Sequence, residues 1–199
     1  MVRTVASEDG RRTRHAGRRG ELLAAAADHV VEHGLADLSM RPLAAALGVS
    51  HVALLRHFES KENLLVELLG ELRARDRIRV AAVVGQHRQE GLEDRLVEAW
   101  RLLSAPGHLP FWRFFFEAYG MAVSKPDRFA GFLDDMVEEW LELIESLLGD
   151  AVSEHHRRAA ATFVLATVRG LILDLLSTGD RRRVDEAATL LGRAIADLK

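Results

Sequence analysis

Apolar residues recur at intervals of three and four along nearly the whole chain after Gly17, and strict alternation is rare. That spacing puts apolar side chains on one face of a 3.6-residue helix, so the chain reads as all-α. Leu23, Ala26, Ala27, Val30 and Val31 form the stripe of a first helix from about Arg18 to His33, and Gly34 offers a left-handed stop. Ser39 caps a short second helix that ends near Leu47, with Pro42 in the first turn, where its missing N–H costs little. Gly48 breaks that helix, Ser50 caps a third ending near Phe58, and Ser60 caps a fourth running from Lys61 toward Gly85. Val80–Val84 is the best strand candidate, yet it continues a helical run with no turn before it. Beyond it, Gly and Pro divide the chain into helices at about 92–104, 110–123, 126–148, 154–177 and 184–198. The expectation is about nine helices.

Composition narrows the class. Of 199 residues, 48% are hydrophobic and 29% charged, enough apolar material for a core. The apolar runs, such as Phe114–Phe116 and Leu171–Leu173, are far too short to span a bilayer, so no membrane partner is expected. The first 20 residues hold no apolar stretch of the signal-peptide kind. Without cysteine the chain has no disulfide, no thiolate nucleophile and no Cys-ligated zinc, which fits a cytoplasmic protein. The net charge is −3, but it is unevenly spread. In residues 1–20, Arg3, Arg11, Arg12, Arg14, Arg18 and Arg19 outweigh Glu8 and Asp9 by four, which leaves −7 for the rest. A basic arm on an acidic body points to a local contact with a polyanion; taken alone, such an arm is a disordered, solvated tail.

The two short helices between Ser39 and Phe58 carry the most specific pattern. A helix-turn-helix needs a small residue at the close crossing, Gly in the turn and an apolar lock on the second helix. Ala44, Gly48 and Leu54 meet those demands, and Leu43, Leu47, Val49 and Phe58 complete a small core. An ordinary helix–loop–helix corner has a similar spacing. The flanking residues add to it. Gly48-Val49-Ser50-His51-Val52-Ala53-Leu54-Leu55-Arg56-His57-Phe58, followed by Ser60-Lys61-Glu62, resembles the N-terminal domain of the TetR family of bacterial regulators. Upstream, Leu22–Ala26, His33-Gly34-Leu35 and Leu38-Ser39 match the same family's first helix and second cap. The resemblance covers residues 18–66 closely and the rest only as a succession of helices.

That resemblance implies roles. Ser50, His51, Val52 and Ala53 would face base edges in the major groove. Ser39, Arg41, His57 and Lys61 would meet phosphates, Lys61 beside a helix N-terminus that already favours an anion. Arg14, Arg18 and Arg19 would enter the adjacent minor groove. One position departs from the family. Leu55 stands where a phosphate-binding tyrosine is usual, and Arg56 beside it would replace that contact or reach a base.

The second half is rich in aromatics. Residues 111–119, Phe-Trp-Arg-Phe-Phe-Phe-Glu-Ala-Tyr, are apolar around nearly the whole helix, which predicts burial on several sides. Each ring taken singly reads as core. A central helix of a bundle is also where a cavity forms, and the family usually keeps an inducer pocket there. The expected lining is Trp112, Phe115, Tyr119, Met136 and Trp140, with His108, Arg113 and Glu117 as polar anchors. On the last two helices, Leu165, Val168, Ile172 and Leu176, then Leu190, Leu191, Ala194 and Ile195, follow helical spacing, and Gly170 permits a close crossing. Family members usually pair these helices with their twins, so a homodimer interface is expected there; the same stripes also suit packing within one subunit.

Other classes find less support. The chain has no Gly-rich phosphate loop, nucleophile elbow or His-Glu-x-x-His motif. Asp134, Asp135, Glu138 and Glu139 have the spacing of some bundle metal sites and equally that of a solvated face. His155 and His156 are adjacent and diverge by about 100° on a helix. A helical-bundle enzyme or a metal-sensing regulator is therefore the alternative. The main reading has three parts: a disordered basic arm over 1–17, a DNA-binding domain over 18–66, and a ligand-binding and dimerisation bundle over 67–199 joined to it by a long helix. It needs no catalytic residue, metal or cofactor. Its partners are a pseudo-palindromic double-stranded operator, a small-molecule effector and a second copy, and its mode is repression released by a small, largely apolar ligand.

Overall fold

The computed structural model describes residues 5–33, 39–87, 89–129 and 132–196. These form α1 Val5–His33, α2 Met40–Ala46, α3 His51–Phe58, α4 Lys61–Gln86, α5 Leu92–Leu103, α6 Leu109–Ser124, α7 Phe132–Leu148, α8 Glu154–Thr178 and α9 Arg181–Ala196. Among the described residues there is no strand; Val80–Val84 lies inside α4. The chain divides into two compact units, Met1–Arg73 and Ala74–Lys199.

In the first unit the small apolar residues of α1 face inward: Leu22, Ala26, Ala27 and Val30 are buried. So are Leu43 and Ala44 of α2, Leu54 and Phe58 of α3, and Leu64 and Leu68 at the start of α4. The turn between α2 and α3 follows from one residue. Gly48 takes φ +67°, a left-handed conformation that a Cβ would strain. It lets the Val49 N–H return to the Ala44 carbonyl at 2.9 Å. Ser50 then accepts from the Ala53 N–H at 3.1 Å and Ser60 from the Asn63 N–H at 3.0 Å, capping α3 and α4 as their spacing predicts.

Two expectations change here. Ser39 has the extended backbone of an N-cap, but its side chain makes no capping bond. Helix α1 starts at Val5, not near residue 18; between Val5 and Arg18 no proline interrupts it. The expected stop at Gly34 lies outside the described residues.

In the second unit α5 packs on α9, α7 on α8, and α8 also on α6 and α9. Gly192 allows the α5–α9 approach: a Cβ there would meet the Glu93 side chain at 3.3 Å and its carbonyl at 3.4 Å. Gly170 has open space around it, so it makes no such crossing within the subunit. Pro126–Arg128 forms a separate 3-10 turn before α7 rather than the first turn of one continuous helix. Helix α6 is buried through Phe111, Trp112, Phe114, Phe115, Ala118 and Ala122. It is not wrapped on all sides, because Arg113, Glu117 and Gly120 form an exposed strip.

Helix α8 is long and apolar enough to cross a membrane by length and composition, with a window of mean hydropathy 1.8. That departs from the reading of its runs as too short. Its inner residues Ala160, Ala161, Val164, Leu165, Ile172 and Leu175 are buried, while Phe163 and Leu173 are exposed. The α8–α9 corner closes on Gly179 at φ +69° and on Arg183, which forks onto Asp174 with two bonds of 2.7 Å. That guanidinium holds the Asp174 carboxyl below the usual carboxylate range.

Candidate functional site

Helix α3 has two faces. Leu54 and Phe58 point into the first unit, fixed by the Gly48 turn and the Ser50 cap. On the other side Ser50, Val52 and Arg56 are exposed, with Val52 at 75%, while His51, Ala53 and His57 are half-buried. An apolar residue that open has no packing role within the subunit. Ser39, Arg41 and Lys61 are exposed, Lys61 as the first residue of α4. Leu55 is half-buried, so it offers neither a hydroxyl nor a fully open side chain.

The basic arm divides. Arg14 lies outside the residues whose side chains are described. Arg18 is exposed and pairs with Glu21 at 3.1 Å. Arg19 departs from its expected place in a minor groove. It donates to the His57 carbonyl at 3.1 Å and to Glu67 at 2.6 Å, and its guanidinium lies 5.3 Å from the Phe58 ring centre. One side chain thereby joins α1 to the end of α3 and to α4. Its charge is committed to holding α3.

In the second unit a cavity of about 60 Å³ opens among α4, α5, α6, α7, α8 and α9. By the same measure one water needs about 10–15 Å³, so the space suits a small molecule. Trp112, Phe115 and Trp140 line it as expected. Met136 is fully buried but forms no part of the wall. Tyr119 stacks on Phe115 with ring centres 5.7 Å apart, behind the wall. The three expected anchors are elsewhere. Arg113 and Glu117 belong to the exposed strip of α6. His108 holds Asp76 at 3.0 Å and packs on the rings of Phe111 and Trp112.

The expected dimer stripe divides. Leu165, Val168 and Leu191 line the cavity, and Ile172 and Ile195 are fully buried within the subunit. Leu176 is half-buried, while Leu190 and Ala194 are exposed. Leu165, Val168, Ile172, Leu191 and Ile195 thus lie on inner faces, while the outer faces carry apolar residues of their own, Leu190 among them.

Trp100 and Arg169 were missed as cavity residues. For Arg169 a signal existed: it is the sole charged residue in the run from Ala159 to Leu173. Among the described residues no group of three or more His, Asp or Glu could hold a metal ion. Glu138 pairs with Arg158 and Glu139 with Arg77, and the side chains of Asp134 and Asp135 lie outside those described.

The comparisons with known proteins agree with the first unit. The family of bacterial regulatory proteins called the tetR family matches residues 22–68. Residues 22–68 carry the DNA-binding segment of the TetR family. The match spans the buried face of α1, the Gly48 turn, α3 and the Ser60 cap, so these are the parts of a TetR-family DNA-binding domain in a transcriptional regulator. Solved structures extend the likeness. A transcriptional regulator from Rhodococcus sp. is 20% identical, with TM-score 0.68 over 89% of this chain and 95% of its own. A TetR-family transcriptional regulator from Pectobacterium atrosepticum is 21% identical, with TM-score 0.67 over 94% of each chain. The multidrug binding protein EbrR, complexed with imidazole, is 25% identical, with TM-score 0.64 over 88% of this chain and 89% of its own. No curated protein matches.

Proposed function

We propose that this TetR-family regulator is a dimeric repressor that leaves its operator when a small, largely apolar molecule enters the cavity of the second unit. The observation that carries the DNA half is the split of α3, with Leu54 and Phe58 locked inside and Ser50, Val52 and Arg56 open. In this reading His51, Val52, Ala53 and Arg56 read bases. Ser39, Arg41, His57 and Lys61 hold phosphates, and Arg14 and Arg18 extend the contact. Residues 18–66 are the reading head and residues 67–199 sense and dimerise. The site of action is the bacterial cytoplasm, where the operator is.

The effector half is supported by the cavity's apolar wall and by EbrR, a structural relative that binds imidazole in its crystal. Ligand would favour a subunit arrangement whose recognition helices no longer match the half-site spacing. The enzyme alternative gains no observation.

The test is a mobility-shift and anisotropy titration with DNA from the chain's own promoter region. Specific binding supports the reading; equal binding to bulk DNA sinks it. Lys61→Ala is expected to weaken binding to all sequences and to lower the slope of log K against log salt by about 0.9, the share of one phosphate. An unchanged slope removes Lys61 from the contact set.

For the dimer, the outer faces of α8 and α9 offer Phe163 at 49% exposure, Leu173 at 50% and Leu190 at 62%, with open space at Gly170. Such residues on adjacent helices are the material of an isologous interface. Leu173→Arg is expected to give monomers in sedimentation velocity at micromolar concentration. A dimer of unchanged strength would place the interface elsewhere.

A further inference from the structure

Val52 is the second residue of α3 and, at 75% exposure, the most open of the large apolar residues among those described. Its local setting works against it. A β-branched side chain in a short helix loses rotamer freedom that alanine would not, and its methyl groups stand in water. Its neighbours in the first turn are otherwise engaged. The Ser50 hydroxyl accepts the Ala53 N–H at 3.1 Å, and His51 and Ala53 are half-buried. The first turn of a recognition helix is the part that meets base edges, so Val52 is the side chain this helix holds out to them. The surrounding charge suits a groove. Between Ser39 and Lys61 the chain carries Arg41, Arg56 and Lys61 against a single carboxylate, Glu59, although its net charge is −3. All three cations are exposed, and Arg56, four residues after Val52, shares its face of α3. An apolar tip on a basic segment matches a groove floor between two phosphate walls.

We propose that Val52 reads the 5-methyl group of a thymine in each half of the operator. This deepens the proposed function and rests on its reading of α3 as the recognition helix. In the major groove every base pair shows donors or acceptors, and only the pairs that contain thymine show an apolar group, its methyl. Valine has no hydrogen-bonding atom in its side chain, so it cannot tell one polar edge from another. Laid over a polar edge, it strips water and replaces none of the lost hydrogen bonds. Laid over the methyl, it takes apolar surface of both partners out of water. The direction of the preference follows. Thymine is favoured at that position over cytosine, which presents an amino group there and no methyl.

The experiment uses the full chain and, as probe, the shortest fragment of its own promoter region that it shifts. Each thymine of the fragment is replaced in turn by deoxyuridine, which removes the methyl and keeps every donor and acceptor. At one position in each half the replacement is expected to weaken binding about fourfold, the factor that burying a single methyl group supplies. Val52→Ala should bind the unmodified fragment more weakly and lose its sensitivity to that same replacement. Because Val52 is exposed, the variant should keep the helix content and the unfolding temperature of the natural chain, so a loss of binding is not a loss of fold. Specific binding that no replacement weakens overturns the proposal and leaves the DNA reading intact. A methyl effect that persists undiminished in Val52→Ala at every sensitive position overturns the role of Val52. If no fragment is shifted, the reading of α3 as the recognition helix falls, and this proposal with it.

Discussion

Phe58→Ala is expected to abolish DNA binding and to destabilise the first unit by about 3–5 kcal/mol, the cost of removing a buried phenyl ring. Phe58 is the last residue of α3 and is fully buried beside Leu54. It also underlies Arg19, so the mutation removes both the apolar lock and the face on which the guanidinium rests. A small domain has roughly 5–15 kcal/mol of stability in all, and this loss is a large fraction of it. The two units can be followed separately, because every tryptophan lies in the second. Helix content by circular dichroism should show an early transition on heating that tryptophan fluorescence does not. A single transition, shifted equally in both signals, would contradict the assignment of the loss to the first unit. Phe58→Leu, which keeps most of the volume, should recover much of the stability.

His108→Ala is expected to destabilise the second unit by about 2–4 kcal/mol, because it leaves a buried carboxylate without its hydrogen-bonded partner. Asp76 is 3% exposed and meets His108 Nε2 at 3.0 Å. Arg79 lies farther off, at 3.6 Å from the other carboxylate oxygen, and is itself exposed. The imidazole also packs on Phe111 and Trp112, so its loss opens space beside two rings of the cavity wall. Urea unfolding followed by tryptophan fluorescence measures the effect. His108→Asn keeps a donor and should restore part of it. In the double variant His108→Ala with Asp76→Ala, no buried carboxylate is stranded, so the loss should be smaller than the sum of the two single losses. Additive losses would mean that the pair does not act as a pair. This role differs from the one that the sequence suggests for His108, an effector anchor in a loop: the partner lies 32 residues earlier on another helix.

The legible parts of this fold were local. Gly48, Ser50 and Ser60 punctuate the chain by rules that act over three or four residues, and the structure keeps all three. Ala44, Leu54 and Phe58 follow from the same short-range geometry. What spacing could not supply was the choice between faces. Helix α8 carries apolar residues on two sides, Leu165 and Ile172 inward, Phe163 and Leu173 outward. Both sets obey a helical period, so the periodicity alone fits either. Long-range pairing was equally hidden. Arg19 reads as part of a basic arm until Glu67, 48 residues later, is seen beside it. In α6 the i, i+4 pair Arg113 and Glu117 marked a solvent face that the surrounding rings obscured.

The cavity has a consequence for the lifetime of the chain. An apolar space of about 60 Å³ that stays dry forfeits packing; at roughly 24 cal/mol per Å³ the deficit is up to about 1.4 kcal/mol. That is close to a tenfold change in the folded-to-unfolded ratio. A molecule that fills the space restores the lost contacts and adds its own mass action. In a cell where unfolded chains are degraded, the empty regulator would thus be the shorter-lived one, and under the proposed function the filled regulator would accumulate. The signal that removes it from DNA would at the same time raise its abundance, and the switch would reset fastest once the molecule is gone.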